Sequence, residues 1–259
     1  MTTPFDKMIK DVNKRRYHNH RLQSHSNIVS LGILEDLLKN CPSFKEDFES
    51  GIINRWINVH TPGARQRKID LLIGQQLPDG EPDLHKMRIC LENKSVITAH
   101  RNRDARFDDL NESLQVLHRV QPETILLATV LVGTCEKVLN VPDGVKKLFR
   151  KNKDDFNMKV LPRLSSGDQT LWEEFDGAVS ENSLTDPEKT VDKFRQLQIR
   201  EPSHTHKIGY DFLMLVPVEI DNVNPPKIAR RNNLGIDIDK DYQLMLEHVC
   251  KTYKARWHL

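Results

Sequence analysis

Apolar residues fall along this chain in blocks with two different spacings, and the blocks alternate in a definite order. Trp56-Ile57-Asn58-Val59-His60, Ile69-Asp70-Leu71-Leu72-Ile73 and Met87-Arg88-Ile89-Cys90-Leu91 have the length and residue types of strands. Thr61-Pro62-Gly63-Ala64 reads as a turn between the first two. Pro78-Asp79-Gly80-Glu81-Pro82-Asp83 carries strong turn chemistry, which lets the second and third runs pair as antiparallel neighbours. From about residue 103 to 119 the spacing becomes helical, with Phe107, Leu110, Leu114 and Leu117 along one side. Residues 124–132 are apolar except for threonine and read as a strand buried on both faces. A fifth strand is expected at 212–216, with Pro217 near its end. A helical pattern also precedes these strands, from about 26 to 39, through Ile28, Leu31, Leu34 and Leu38. The order helix, three strands, helix, strand describes an α/β domain with a central mixed sheet flanked by helices.

Between the late elements the composition shifts. Residues 150–207 are polar and punctuated by Ser165-Ser166-Gly167, Asp186-Pro187 and Glu201-Pro202. One short helix is expected around Leu171, Trp172 and Phe175. A second starts with Asp186 as N-cap and Pro187 at N1, and buries Val191, Phe194 and Leu197. The segment reads as an insertion that carries target recognition or dimer contacts, or as a peripheral helical cover. The terminal helix, about 239–257, has Tyr242, Met245, Leu246, Val249 and Tyr253 at helical spacing; core packing is its default role and a dimer seam the next. At 259 residues, with no internal repeat, the chain fits one large domain.

Chemistry enters with two carboxylates placed inside apolar strands. An unpaired buried carboxylate is very costly, so an acid in such a run needs a reason to be there. Asp70 lies within one run, and the next ends in Glu92-Asn93-Lys94, the only acid-x-Lys triplet of the chain. Side chains at i and i+2 share a strand face, so Glu92 and Lys94 point one way and Asn93 the other. If the two runs pair, Asp70 reaches the face of Glu92. Mg²⁺ takes hard oxygen ligands, usually one or two carboxylates with waters and substrate phosphate. Asp70 and Glu92 supply such oxygens, the carbonyl of Asn93 is a third, and Lys94 is placed to orient a water or to stabilise developing negative charge.

On these residues the segment from about 25 to 133 resembles the PD-(D/E)xK nuclease superfamily, and within it restriction-endonuclease-like proteins. Asp70, Glu92 and Lys94 fall on the metal-binding acid, the second acid and the lysine; Ile69 stands where the motif has proline. The resemblance implies a restriction-endonuclease-like core, one or two Mg²⁺ ions, and hydrolysis of DNA phosphodiester bonds. It also implies a helix before the first core strand, often bearing an acid that faces the site. Glu35 is the residue expected in that role, with a place at the margin of a solvated face as its alternative.

Net charge is only +2, but the basic residues are clustered. Arg65, Arg67 and Lys68 precede the Asp70 strand, and His100, Arg101 and Arg103 follow the Glu92 strand; Lys14-Arg15-Arg16 and Arg230-Arg231 are further groups. A cationic rim around an acidic centre suits double-stranded DNA, because phosphate contacts supply most non-specific affinity. Base readout is expected from Lys193, Arg195, Gln196 and Gln198, and from the segment Arg230-Arg231-Asn232-Asn233. His18, His20, His25 and the pair His204/His206 lack the spacing of a zinc site.

Cys41, Cys90, Cys135 and Cys250 stand far apart and read as reduced thiols. No apolar run spans a bilayer and no signal-peptide core is present, so a cytoplasmic protein is expected. Phosphate loops, dinucleotide fingerprints and Gly-x-Ser-x-Gly elbows are missing, so no nucleotide cofactor is expected. The expectation is a Mg²⁺-dependent, homodimeric type II restriction endonuclease. Alternatives are a less specific defence or repair nuclease of the same fold, and a DNA-binding module without catalysis.

Overall fold

The computed structural model describes residues 2–15, 23–60, 68–97, 100–140, 143–149, 152–164, 166–201 and 207–258. Strands β1 (Asn54–His60), β2 (Lys68–Gln76) and β3 (Pro82–Val96) form an antiparallel meander in which Ile57 faces Leu71 and Leu71 faces Leu91. The β2–β3 turn closes at Gly80, whose φ of 89° is a conformation that favours glycine, with Gly80 N–H bonded to the Leu77 carbonyl at 2.9 Å. The turn expected at 61–64 lies outside the described residues.

Beyond β3 the sheet becomes parallel. β3 pairs with β4 (Ile125–Gly133), and β4 with β7 (Phe212–Glu219), in continuous parallel registers. Parallel neighbours need crossovers, which α4 (Arg103–Val120) and later α8 (Asp186–Phe194) provide. The two-residue strand β8 (Lys227–Ile228) closes the far edge antiparallel, giving the order β1-β2-β3-β4-β7-β8. Every residue of β4 is buried, as its unbroken apolar composition requires.

Helices cover both faces. α2 (Gln23–Asn40), α3 (Pro42–Glu49) and α9 (Ile238–Trp257) pack together on one face, while α4 and α8 pack together on the other. α1 (Pro4–Arg15) lies against α2 and β8. The expected α/β architecture, a central mixed sheet flanked by helices, is therefore present, with β8 as a sixth strand beyond the five expected. The α9 stripe of Tyr242, Met245, Leu246, Val249 and Tyr253 is wholly buried within the chain, so it serves the core.

The outlying segment differs from the expected 150–207 insertion. It begins just after β4, where the ribbon of β5 (Lys137–Leu139) and β6 (Val179–Glu181) frames the short helices α5 (Asp143–Leu148), α6 (Lys153–Asp155) and α7 (Thr170–Glu174). Leu139, Val145, Phe156, Val160, Leu171 and Phe175 form a small hydrophobic cluster separate from the main core. α8, by contrast, buries Val191 and Phe194 in the main core, so it is the crossover between β4 and β7 and not part of the outlying unit. Periodicity identified the helix; only its packing partners assign it to a layer.

One buried ionic lock ties the entrance of the parallel strands to the C-terminal helix. Arg200 and Arg256 both reach Asp211, at 2.9 and 2.6 Å, and Arg200 and Asp211 are fully buried side chains. The Asp211 carboxylate also accepts the Leu126 N–H at 2.8 Å. Unpaired, any of these charges would be very costly at that depth.

Candidate active site

The antiparallel pairing of β2 with β3 reaches Leu71 and Leu91 and goes no further towards the β2 N-terminus. The next rung would set Asp70 opposite Glu92. There a side chain replaces the ladder: the backbone N–H of Asn93 donates to Asp70 Oδ2 at 2.7 Å. Within a strand the N–H and C=O of one residue point to the same side. The Asn93 carbonyl is therefore directed to the edge where Asp70 lies.

Alternation along β3 then separates the three motif side chains. Glu92 and Lys94 face the α4 layer, and Lys94 Nζ contacts Glu92 Oε2 at 2.6 Å. Glu92 is 2% exposed, and its second oxygen, Oε1, is buried with no hydrogen-bond partner among the described residues. The buried Ser113 hydroxyl on α4 is close enough to favour the charged carboxylate, although it too lacks a partner at hydrogen-bonding geometry among those residues. Burial pushes the Glu92 carboxyl above the usual carboxylate range; Lys94 and Ser113 pull against it, and the charge of Asp70 adds to it. Asp70 and Glu92 are thus electrostatic neighbours.

Asn93 faces the α2 layer, and its side chain is saturated. Nδ2 donates to Ser26 Oγ at 2.9 Å and to Ser30 Oγ at 2.8 Å, while Oδ1 accepts from Thr129 Oγ1 at 2.5 Å. Thr129 is the parallel register partner of Asn93 on β4, so the two side chains share a face. Ser26 Oγ in turn donates to Asp70 Oδ1 at 2.7 Å. Nearby, Asn58 Nδ2 donates to Asn27 Oδ1 at 3.2 Å, Gln23 Nε2 donates to Asn58 Oδ1, and Lys68 Nζ donates to Gln23 Oε1 at 3.2 Å. Asn58 has φ 62°, a left-handed conformation uncommon for a residue inside a strand. Sequence reasoning missed Ser26, Ser30, Thr129, Gln23, Asn27 and Asn58. One signal was available: Gln23, Ser26, Asn27 and Ser30 fall at i, i+3, i+4 and i+7, a polar stripe at helical spacing in a helix that is otherwise largely apolar.

Several expected site residues lie elsewhere. Glu35 is exposed and ion-paired with Lys7 of α1 at 2.7 Å, so α2 presents Ser26 and Ser30 to the site, and the acid expected there points away. His100 is 3% exposed, with Nδ1 at 2.6 Å from Thr190 Oγ1 and Nε2 at 3.0 Å from the Gly133 carbonyl. Burial lowers its pKa, so it is a neutral packing residue and not a phosphate contact. Arg230 makes paired contacts with Asp6 and Asp239, at 2.9–3.2 Å, and is a clamp between α1 and α9. Arg231 is exposed. The Asn232 amide bonds the carbonyls of Ala229 and Ile236 at 3.0 Å, which closes its own loop. On α8, Lys193 stands 4.3 Å from the centre of the Phe107 ring, and the guanidinium of nearby Arg195 bonds the Leu234 carbonyl at 3.4 Å.

Of the two basic groups expected to flank the site, Arg101, Arg103 and Lys68 are the described residues that reach the surface. Arg101 is exposed, and Arg103, at the first residue of α4, is partly exposed with a 3.5 Å contact to Asp104. Lys68 is exposed at the start of β2, whereas Arg65 and Arg67 lie outside the described residues, as do His18, His20, His204 and His206. Among the described residues no three His, Cys, Asp or Glu side chains gather as a metal-holding group, and no helix is long and apolar enough to cross a membrane. Two carboxylates and a backbone carbonyl are nevertheless a donor set of the hard-oxygen kind that Mg²⁺ accepts while keeping several waters. The orphaned Oε1 of Glu92 is a buried acceptor that such an ion would satisfy. No family model matches this chain, and no curated protein or solved structure matches it either.

Proposed function

We propose that the chain is a Mg²⁺-dependent endodeoxyribonuclease of the PD-(D/E)xK type, acting on double-stranded DNA as a homodimeric restriction enzyme. The observation that carries the reading is Glu92. It is a buried carboxylate with one oxygen bound by Lys94 and the other unpartnered among the described residues, and Asp70 is its electrostatic neighbour on the adjoining strand. Lys94 offsets part of the cost of burying that carboxylate, and a divalent cation held between Glu92 and Asp70 would offset more of it. Asp70, Glu92 and the Asn93 carbonyl would hold the metal. A bound Mg²⁺ supplies Lewis-acid polarisation of a phosphate and a lowered pKa for coordinated water.

The protein's own residues account for the remainder. Lys94 carries a side chain 16% exposed, so its ammonium is anchored by Glu92 yet reaches solvent at the site, where it orients an attacking water and stabilises the extra negative charge of the transition state. The Glu92 contact holds that ammonium close to the reacting phosphate. Arg101, Arg103 and Lys68 are the described cations of the expected rim and would contact the DNA backbone on either side of the cut.

One observation favours a second reading, a nuclease of the same core with little sequence preference. Four of the eight residues expected to read bases, Lys193, Arg195, Arg230 and Asn232, are engaged in contacts within the protein. The deciding experiment incubates the purified chain with supercoiled plasmid and with a randomised linear library, in Mg²⁺ or Ca²⁺. Discrete fragments in Mg²⁺ support restriction, a smear supports the second reading, and an intact plasmid under all conditions refutes catalysis.

A further inference from the structure

Five hydrogen bonds around Asp70 run in one direction only. An amide nitrogen can only donate and an amide oxygen only accept, so the contacts of Asn93 set the sense of its neighbours. Thr129 Oγ1 donates to Asn93 Oδ1 at 2.5 Å, Asn93 Nδ2 donates to Ser26 Oγ at 2.9 Å, and Ser26 Oγ donates its one proton to Asp70 Oδ1 at 2.7 Å. Asn93 Nδ2 also donates to Ser30 Oγ at 2.8 Å, and the Asn93 backbone N–H donates to Asp70 Oδ2 at 2.7 Å. Both carboxylate oxygens of Asp70 thus receive a proton donor that a single residue, Asn93, has oriented directly or through Ser26. Hydrogen bonds in such a chain polarise one another. Each oxygen of Asp70 retains a lone pair for a further contact.

We infer that Ser26 is a positioning residue for divalent-cation binding, the terminal donor of a Thr129–Asn93–Ser26 chain that holds the Asp70 carboxyl group in one orientation. This rests on the metal reading of the Asp70–Glu92 site. It also accounts for the polar stripe on α2: where Glu35 points to Lys7, α2 brings hydroxyls to the site and so orients an acid already present on β2. Ser26 does not touch the reacting atoms. It acts through Asp70, as partners beyond the ligands of metal sites do, whose loss typically lowers metal affinity about 10–100-fold.

The test is direct binding of Mn²⁺, followed by its paramagnetic resonance signal, to the full chain without DNA, with thermal melting as the check on folding. Ser26→Ala is expected to bind Mn²⁺ about 10–100-fold more weakly than wild type, whereas Ser26→Thr, which keeps the hydroxyl, binds within a few-fold of wild type (about threefold at most, a difference under ~1 kcal/mol). Thr129→Val, which removes the far end of the chain, is expected to weaken binding less than Ser26→Ala. A folded Ser26→Ala protein that binds as wild type does, while Asp70→Ala has lost binding, overturns the role of Ser26 and leaves the metal reading standing. A wild-type protein that binds no Mn²⁺ overturns both.

Discussion

The carboxylate of Asp70 accepts the backbone N–H of Asn93 at 2.7 Å, at the point where the β2–β3 ladder ends. A side chain thereby completes the hydrogen bonding of a strand and is itself fixed beside Glu92. If Asp70 and Lys94 form a catalytic site, Asp70→Ala or Lys94→Ala should reduce plasmid cleavage by at least about 10²-fold, the usual loss on removing a charge-stabilising group. Both variants should remain folded, with a lowered melting temperature because Asn93 and Ser26 lose their acceptor in the first and Glu92 its ion partner in the second, and DNA retardation in Ca²⁺ should fall far less than cleavage. Wild-type turnover in either variant rules out the assignment.

Arg101 and Arg230 were equivalent as basic residues of the sequence, but their surroundings now separate them. Neutralising Arg101 and Arg103 together should flatten the salt dependence of DNA binding by about one unit of slope for each phosphate that the protein no longer neutralises. Arg230→Ala should leave that slope alone and destabilise the fold by about 1 kcal/mol, because its contacts to Asp6 and Asp239 are partly solvent-screened. Salt titrations of both variants, with urea unfolding of the second, decide the matter; a changed slope in Arg230→Ala would show that it reaches DNA.

The lock at Asp211 makes a stability prediction independent of function. Asp211→Ala leaves two buried guanidinium groups without their carboxylate and should cost about 3–5 kcal/mol. Equilibrium unfolding should show the loss, since marginal domains keep only about 5–15 kcal/mol. A cost under about 1 kcal/mol would mean the backbone carbonyls bonded by Arg200 and Arg256 suffice.

His118 predicts acid lability. It is buried, its Nδ1 accepts the Gly209 N–H at 3.3 Å, and burial, reinforced by Arg200, pushes its pKa from 6.5 down to about 4. Between those values the unfolded chain binds the proton and the folded chain does not. Stability is therefore complete above about pH 6.5, falls as the pH drops towards 4, and loses on the order of 3 kcal/mol across that window from this group. A His118→Gln protein, which cannot take up the proton, should show a shallower fall in melting temperature over the same range. Parallel melting curves for the two proteins would exclude His118 as the cause.

What the sequence determined by itself was everything that depends on local periodicity. The apolar runs set the order of strands and helices, the Pro78–Asp83 turn set the β2–β3 pairing, and the period of two placed Glu92 and Lys94 on one face. Side-chain direction needed partners that are distant in the chain. Glu35 and Ser30 both sit on α2, and only the placement of α1 and β3 against that helix sends the acid to Lys7 and the hydroxyl to Asn93. His100 reads as a basic rim residue until Thr190 and Gly133 enclose it, and Arg230 as a free cation until Asp6, 224 residues away, pairs with it. Polarity in a sequence states that a group must be satisfied; whether water, a neighbouring helix or a ligand satisfies it is decided by which surfaces pack together. At Asp70 that was α2 and β3, and at Glu92 Oε1 no donor among the described residues does so.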